Sequence, residues 1–206
     1  MPVPESIIEL FNRYLAPGAP DTPVAGVVRL ILNDRLSRVE VDQLLDAYGI
    51  QYTRHFRDSL VDLVVNVIRE ALRDSELTDD EELFIQSLKR SLRLEEGDLL
   101  TYRRAEVTSL LTREVERILR DGQVDSAEAL HQVALQRAFD LSYDQYLELT
   151  RKPVERLVDG FIARITSDGV VTTAERTALE RQLLALDTVY SLTAAQRRNL
   201  ERARQV

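Results

Sequence analysis

Cysteine is absent from this 206-residue sequence, and glycine and proline are scarce, with 7 and 6 residues. Without cysteine, the chain forms no disulfide, no thiolate metal site and no iron–sulfur cluster, and it has no thiol nucleophile. Leucine, arginine, glutamate and alanine dominate instead, and these residues are strong helix formers. The composition therefore predicts an all-α protein. At 206 residues, the chain is long enough to fold without a cofactor, a metal or a disulfide.

Positive charge and long apolar runs are also limited. The chain has 35 acidic and 27 basic residues, a formal net charge of −8, which disfavours nucleic acid and anionic membranes as partners. No run approaches the roughly 18 apolar residues of a membrane-spanning helix, and the start lacks the basic stretch and apolar core of a secretion signal. We therefore expect a cytoplasmic protein that binds no nucleic acid and does not insert into a membrane.

One eight-residue pattern recurs along the chain. The stretches DSELTDDE, DGQVDSAE and DGVVTTAE begin at Asp74, Asp121 and Asp168, so their starts are equally spaced. Each has aspartate first, a small residue second, Leu or Val fourth, Thr or Asp fifth, and glutamate eighth. A weaker copy, NDRLSRVE, begins at Asn33, and its distance to Asp74 is slightly shorter than the regular spacing. The chain therefore contains repeated units that start near residues 33, 74, 121 and 168.

Apolar residues recur at fixed distances from these aspartates. Leu60, Val107 and Val154 precede the three aspartates by one common distance, and Leu92, Phe139 and Leu186 follow them by another. Further apolar residues also stand at the same distance from the aspartate in each copy, and their spacing places them on one face of a helix. Each motif therefore joins two amphipathic helices. A helical period in the forties is typical of repeats that bury their apolar faces by stacking. We expect tandem helix pairs over residues 21–206, as a single compact body or a short solenoid.

The same periodicity places about ten helices along the chain. The stretch APGAP at residues 16–20 has the composition of a linker, so residues 1–20 are predicted to form an N-terminal helical arm and a short linker. Pro153 is predicted to lie at a bend or in a first helical turn and so to split the eighth helix. The expected helices are 4–15, 22–33, 37–48, 53–73, 78–93, 96–120, 125–140, 142–167, 172–187 and 193–204.

The repeated motif resembles the second half of a calcium loop, but its first half lacks ligands. With Glu175 at the twelfth position of such a loop, Asp168 is fifth, and Arg164 and Thr166 occupy the first and third positions, where oxygen ligands are needed. A standard calcium site is therefore disfavoured. The alternative is a weak or non-standard divalent-cation site. Its ligands would be Asp121, Glu128, Asp168 and Glu175.

Helix capping explains the same residues more simply. In each copy a small polar residue stands three positions before a glutamate, which is the spacing of a capping box. We prefer this interpretation, in which the motif ends one helix and begins the next. The four pairs are Ser37 with Glu40, Thr78 with Glu81, Asp125 with Glu128, and Thr172 with Glu175.

The best-matching stretches, DGQVDSAE and DGVVTTAE, resemble the TerB-like tellurite-resistance family of helical domains. The likeness lies in an acidic residue, a glycine, an aliphatic residue and a glutamate at fixed spacing before a helix, and it covers mainly residues 60–187. The stretch from Asp74 has Ser75 in place of the glycine. The resemblance implies an all-helical cytoplasmic domain linked to stress or membrane-associated defence systems. It also implies metal association through acidic residues. These are Asp121, Glu128, Asp168 and Glu175.

Arg57, Arg104 and Arg151 share one register, because each precedes the aspartate of its unit by the same distance. Such a row would bind an acidic partner helix or a phosphate group, or each arginine would pair with an acid of the neighbouring unit. We prefer the pairing. The two histidines, His55 and His131, stand in no zinc-binding spacing and are predicted to be bystanders.

The sequence contains no recognisable enzyme motif, since it shows no nucleophile beside a base and no glycine-rich phosphate loop. We therefore expect a protein-interaction or scaffold module that is not an enzyme and binds another protein. The alternative is a divalent-cation-responsive module that uses the Asp and Glu pairs of the repeats.

Overall fold

A computed structural model describes residues 2–51, 54–74, 77–120 and 126–165, together with 172–174, 177, 194, 198 and 201. Within these residues the chain is all-helical, as predicted, with eight α-helices, a short 3-10 turn at Leu72–Asp74 and no strand. None of the described helices is both long and apolar enough to cross a membrane. The helices are α1 Glu5–Tyr14, α2 Pro23–Leu32, α3 Arg38–Ala47, α4 Arg54–Ala71, α5 Asp79–Ser91, α6 Asp98–Arg120, α7 Ser126–Phe139 and α8 Tyr143–Ile165.

The first eight predicted helices agree closely with these bounds at both ends. The ninth and tenth predicted helices lie, apart from isolated positions, outside the described residues. Two details differ from expectation. Helix α8 continues through Pro153 without splitting, whereas α6 contains a kink at Arg103, where φ is −136° and ψ is 38°.

The chain divides into two compact units. The first unit comprises Met1–Val107 and Ala134–Leu141, and the second comprises Thr108–Val133 and Ser142–Val206. The division falls inside α6 and inside α7, not at the linker-like stretch near residue 20. A proline- and glycine-rich stretch shows where the chain turns, but the packing of side chains decides which helices belong together.

Helix α4 forms the centre of the first unit and packs against α1, α2 and α5. Its buried residues include Leu60, Leu63 and Ile68, each with no exposed surface. Helix α1 buries Phe11 completely, and the Phe11 ring centroid lies 6.2 Å from that of Phe84 on α5. Helix α1 is therefore part of the core of the first unit and does not stand apart as an arm, because its apolar face needs α4 and α5 to cover it.

Several helices end with the same backbone conformation. After α5, Arg93 has a φ of 56°, and the N–H of Leu94 donates to the carbonyl of Lys89 over 3.1 Å. After α7, Asp140 has a φ of 53°, and the N–H of Leu141 donates to the carbonyl of Gln136 over 2.8 Å. These are Schellman ends, in which a left-handed residue lets the chain satisfy the last carbonyls of a helix. Arg93 and Asp140 are one repeat period apart.

Candidate functional site

The repeated stretches mark helix starts wherever the structure describes them. The Thr78 hydroxyl accepts from the N–H of Glu81 over 3.3 Å, and the Glu81 carboxylate accepts from the N–H of Thr78 over 3.0 Å. This is a complete capping box at the start of α5. Ser37 caps α3 in the same way over 3.2 Å, but the Glu40 carboxylate pairs with Arg35 at 2.7 Å, so the reciprocal bond is not made.

The other two copies of the motif carry the predicted metal ligands. Asp121, Asp168 and Glu175 lie outside the described residues, and so does the side chain of Glu128. Among the residues that the structure does describe, no three His, Asp or Glu side chains are grouped closely enough to hold a metal ion. The divalent-cation site therefore stays a prediction.

The arginines of the predicted row lie on three different helices. Arg57 on α4 lies 3.4 Å from Glu95 and 3.6 Å from Asp98, so it forms the kind of ion pair that we preferred. Arg104 on α6 and Arg151 on α8 are exposed, and they belong to the first and the second unit respectively. Binding of a partner by these three arginines stays a prediction.

A cleft of ≈ 600 Å³ opens in the first unit where the end of α1, the start of α2 and the residues after α3 approach α4 and α6. Its apolar lining is formed by Pro23, Val24, Ile50 and Phe56. Its polar lining includes Tyr14, Asp62 and Arg103. The cleft thus combines apolar walls with a few polar groups, the combination typical of ligand sites.

Local backbone signals position the apolar walls of the cleft. Thr22 caps α2, its hydroxyl accepting from the N–H of Ala25 over 3.1 Å, and Pro23 takes the first helical position, where its missing N–H costs nothing. On the other wall, Gly49 has a φ of 63°, which glycine adopts without strain. The turn lets the N–H of Ile50 donate to the carbonyl of Leu45 over 3.0 Å and places Ile50 at the cleft.

Arg103 holds two carboxylates of α4 together at the edge of the cleft. Its Nη1 donates to Asp58 Oδ1 over 2.5 Å, and its Nε donates to Asp62 Oδ1 over 3.1 Å. Nη1 also donates to the carbonyl of Tyr102 over 2.9 Å, at the kink in α6. The hydrogen bond to Asp58 is the main cause of a raised pKa of Arg103. Burial of the guanidinium opposes this rise, and the hydrogen bond to Asp62 adds to it. One cation therefore faces two anions, and the group carries a net charge of −1.

Asp62 and Tyr14 present unused hydrogen-bonding capacity to the cleft. The Asp62 side chain is 52% exposed, and in the described part of the chain its Oδ2 has no hydrogen-bond partner. The Tyr14 hydroxyl accepts from Asn66 Nδ2 over 3.1 Å. Burial raises the pKa of Tyr14, and the nearby charge of Asp62 adds to the rise, so the phenol keeps its proton as a donor.

The second unit contains a buried pair of ionisable residues that the sequence analysis did not identify. Glu114 on α6 is 1% exposed and His131 on α7 is 7% exposed, with Glu114 Oε2 and His131 Nε2 3.4 Å apart. Arg117 Nε donates to Glu114 Oε2 over 3.2 Å. Burial raises the pKa of Glu114, but the contacts with His131 and Arg117 outweigh burial and lower it. His131, which stands in no metal-binding spacing, is therefore part of the buried interior of the second unit.

Lys89, one of only two lysines in the chain, lies buried in the first unit. Its Nζ donates to the carbonyls of Arg137 and Ala138 over 3.0 Å each and to Asp140 Oδ1 over 2.6 Å. Burial lowers the pKa of Lys89, and Asp140 opposes the shift. All three donors of the ammonium group are thus used at the C-terminal end of α7, where a cation is favoured by the helix dipole. Lys89 therefore has a structural role.

Comparison with protein-family models, with curated proteins and with solved structures gave no match. The resemblance to TerB-like domains therefore stays a prediction that depends on the repeated motif alone.

Proposed function

We propose that this protein is a helical-repeat interaction module and that the cleft of the first unit receives a segment of a partner protein. The single observation that carries the proposal is the cleft itself, with apolar walls beside Asp62, Arg103 and the Tyr14 hydroxyl. Its volume of ≈ 600 Å³ lies within the range of roughly 300–1,000 Å³ that is usual for binding pockets. A pocket of this size accommodates a few side chains of a partner.

Residues at matching positions of successive repeats are buried alike, and this agreement supports the helical repeat. Leu60, Val107 and Val154 are all buried, with 0%, 0% and 4% exposed surface. Leu92 and Phe139, at the ends of α5 and α7, are both fully buried. Units of this kind bury their apolar faces against one another and leave side chains and grooves for partners, which is the usual function of helical repeats.

Site-specific photo-crosslinking in the native host tests the proposal. Gln51 is exposed and lines the cleft, so a photoreactive residue at position 51 should form an adduct with a partner protein. The same group at Glu116, an exposed position of the second unit, is the control. Val24→Trp fills the cleft and should abolish the adduct at position 51 while the melting temperature is retained. Adduct formation that is equal at both positions, or unaffected by Val24→Trp in a folded protein, would contradict the proposal.

A further inference from the structure

We infer that the cleft of the first unit binds a basic side chain, the lysine or arginine of a partner segment, through Asp62. The inference rests on the proposed function and adds to it the chemistry of the occupant. The observation behind it is that Asp62, whose Oδ2 has no hydrogen-bond partner among the described residues, lies beside the apolar walls of a cleft of ≈ 600 Å³.

The charge of the group formed by Asp58, Asp62 and Arg103 favours a cation. Asp58 and Asp62 share the single guanidinium of Arg103, so one negative charge is not balanced within the group. Arg103 keeps Asp62 in place by holding its Oδ1, and Oδ2 is left for another donor. The chain as a whole carries a net charge of −8, which attracts a basic partner and repels an acidic one.

The apolar walls suit the stem of such a side chain. Lysine and arginine bury three or four methylene groups while their charged ends pair with a carboxylate at the edge of a pocket. Val24, Ile50 and Phe56 provide the apolar surface of the cleft, and Asp62 provides the exposed acceptor. An acidic side chain fits less well, because the two carboxylates of Asp58 and Asp62 outnumber the single guanidinium of Arg103 and repel a further negative charge.

Titration of the full-length protein with small blocked amino acids tests the inference by two-dimensional NMR. The probes are the N-acetyl methylamides of arginine and lysine, with those of citrulline and norleucine as uncharged probes of similar length. We expect saturable shifts at cleft residues such as Val24 and Gln51 with the cationic probes. An exposed ion pair contributes about 0.2–1 kcal/mol, so the uncharged probes should bind up to about fivefold more weakly.

Two variants complete the design. Asp62→Asn keeps an oxygen for Arg103 Nε and removes the charge, and it should weaken the cationic probes to the affinity of the uncharged ones. Asp144→Asn, at an exposed carboxylate of α8, should leave all affinities unchanged. Equal binding of arginine and citrulline probes, full affinity in Asp62→Asn, or no shift at the cleft would overturn the inference.

The outcomes separate this inference from the proposed function. If the norleucine probe binds as well as the arginine probe, the basic side chain is excluded and an apolar partner segment is retained. If the arginine probe binds through Asp62 but position 51 forms no adduct with any protein in the host, the chemistry of the cleft stands and the protein partner does not.

Discussion

Glu114 and His131 lie 3.4 Å apart inside the second unit, and both side chains are almost completely buried. The residues one repeat period earlier are Val67 and Phe84, which are also buried, on α4 and α5 of the first unit. Matching positions of two successive sequence repeats are thus occupied by an apolar pair in one repeat and by an ionisable pair in the next. His131 Nε2 forms no hydrogen bond within the described structure, although it lies 3.4 Å from Glu114 Oε2.

Replacing the ionisable pair by the apolar one should preserve stability only when both residues change. Glu114→Val alone and His131→Phe alone each leave a buried polar partner, and each should lower the free energy of unfolding by about 1–3 kcal/mol. The double variant restores an apolar pair and should recover most of that loss. Urea denaturation of the four proteins in the cycle measures the coupling, and additive losses in the double variant would contradict the prediction.

Glu114 should also contribute to the loss of stability in acid. Its pKa is lowered in the folded state from the ordinary value of 4.5, since the contacts with His131 and Arg117 outweigh burial. The stabilisation is therefore complete above the ordinary pKa and is lost as the pH falls through the folded pKa. Between pH 6 and pH 3, Glu114→Gln should lose less unfolding free energy than the unmodified protein. Parallel curves for the two proteins would count against this assignment.

The two lysines should differ in stability effect and in reactivity. Lys89→Met removes three hydrogen bonds at the end of α7 and should cost about 1–3 kcal/mol, whereas Lys152→Met changes an exposed residue and should stay within about 0.5 kcal/mol. An amine-acylating reagent should label Lys152 in the folded protein and Lys89 only after unfolding, because the Lys89 side chain is 5% exposed. Mass spectrometry reads both sites, and rapid labelling of Lys89 in the folded protein would show that it is not buried.

Helix α1 should stabilise the first unit. Phe11→Ala removes a fully buried ring that packs against Phe84 and should lower the free energy of unfolding by about 3–5 kcal/mol. Ile8→Ala, at a neighbouring position that is 38% exposed, is the matched control and should cost less than about 1 kcal/mol. Similar small effects of both substitutions would support the alternative that residues 1–20 form a detached arm.

Helix positions followed from local signals in the sequence. Thr78 and Glu81 stand at the spacing of a capping box, and the structure forms that box at the start of α5. Ser142 and Gln145 form the same reciprocal pair before α8, over 2.9 and 3.2 Å, although the repeated motif does not include them. Capping depends on residues a few positions apart, so local sequence predicts it, although the Glu40 carboxylate pairs with Arg35 and leaves the box of α3 incomplete.

Contacts between distant residues did not follow from the sequence. The kink in α6 brings Arg103 to Asp58 and Asp62, which lie on another helix far away along the chain, and no local pattern distinguishes Arg103 from the adjacent Arg104. The pairing of Glu114 with His131 had a detectable signal, since each replaces a buried apolar residue at the equivalent place of the preceding unit. Alignment of the repeats position by position reveals that replacement.

The sequence by itself determined the all-α class, the bounds of the first eight helices and the regular spacing of buried residues, because helix propensity, capping and amphipathic periodicity act over a few turns of chain. Only the tertiary structure decided that α1 belongs to the core of the first unit, that Arg103 binds two aspartates and that a cleft forms beside Asp62. These features depend on which helix faces meet, and that choice is made by the packing of the whole unit.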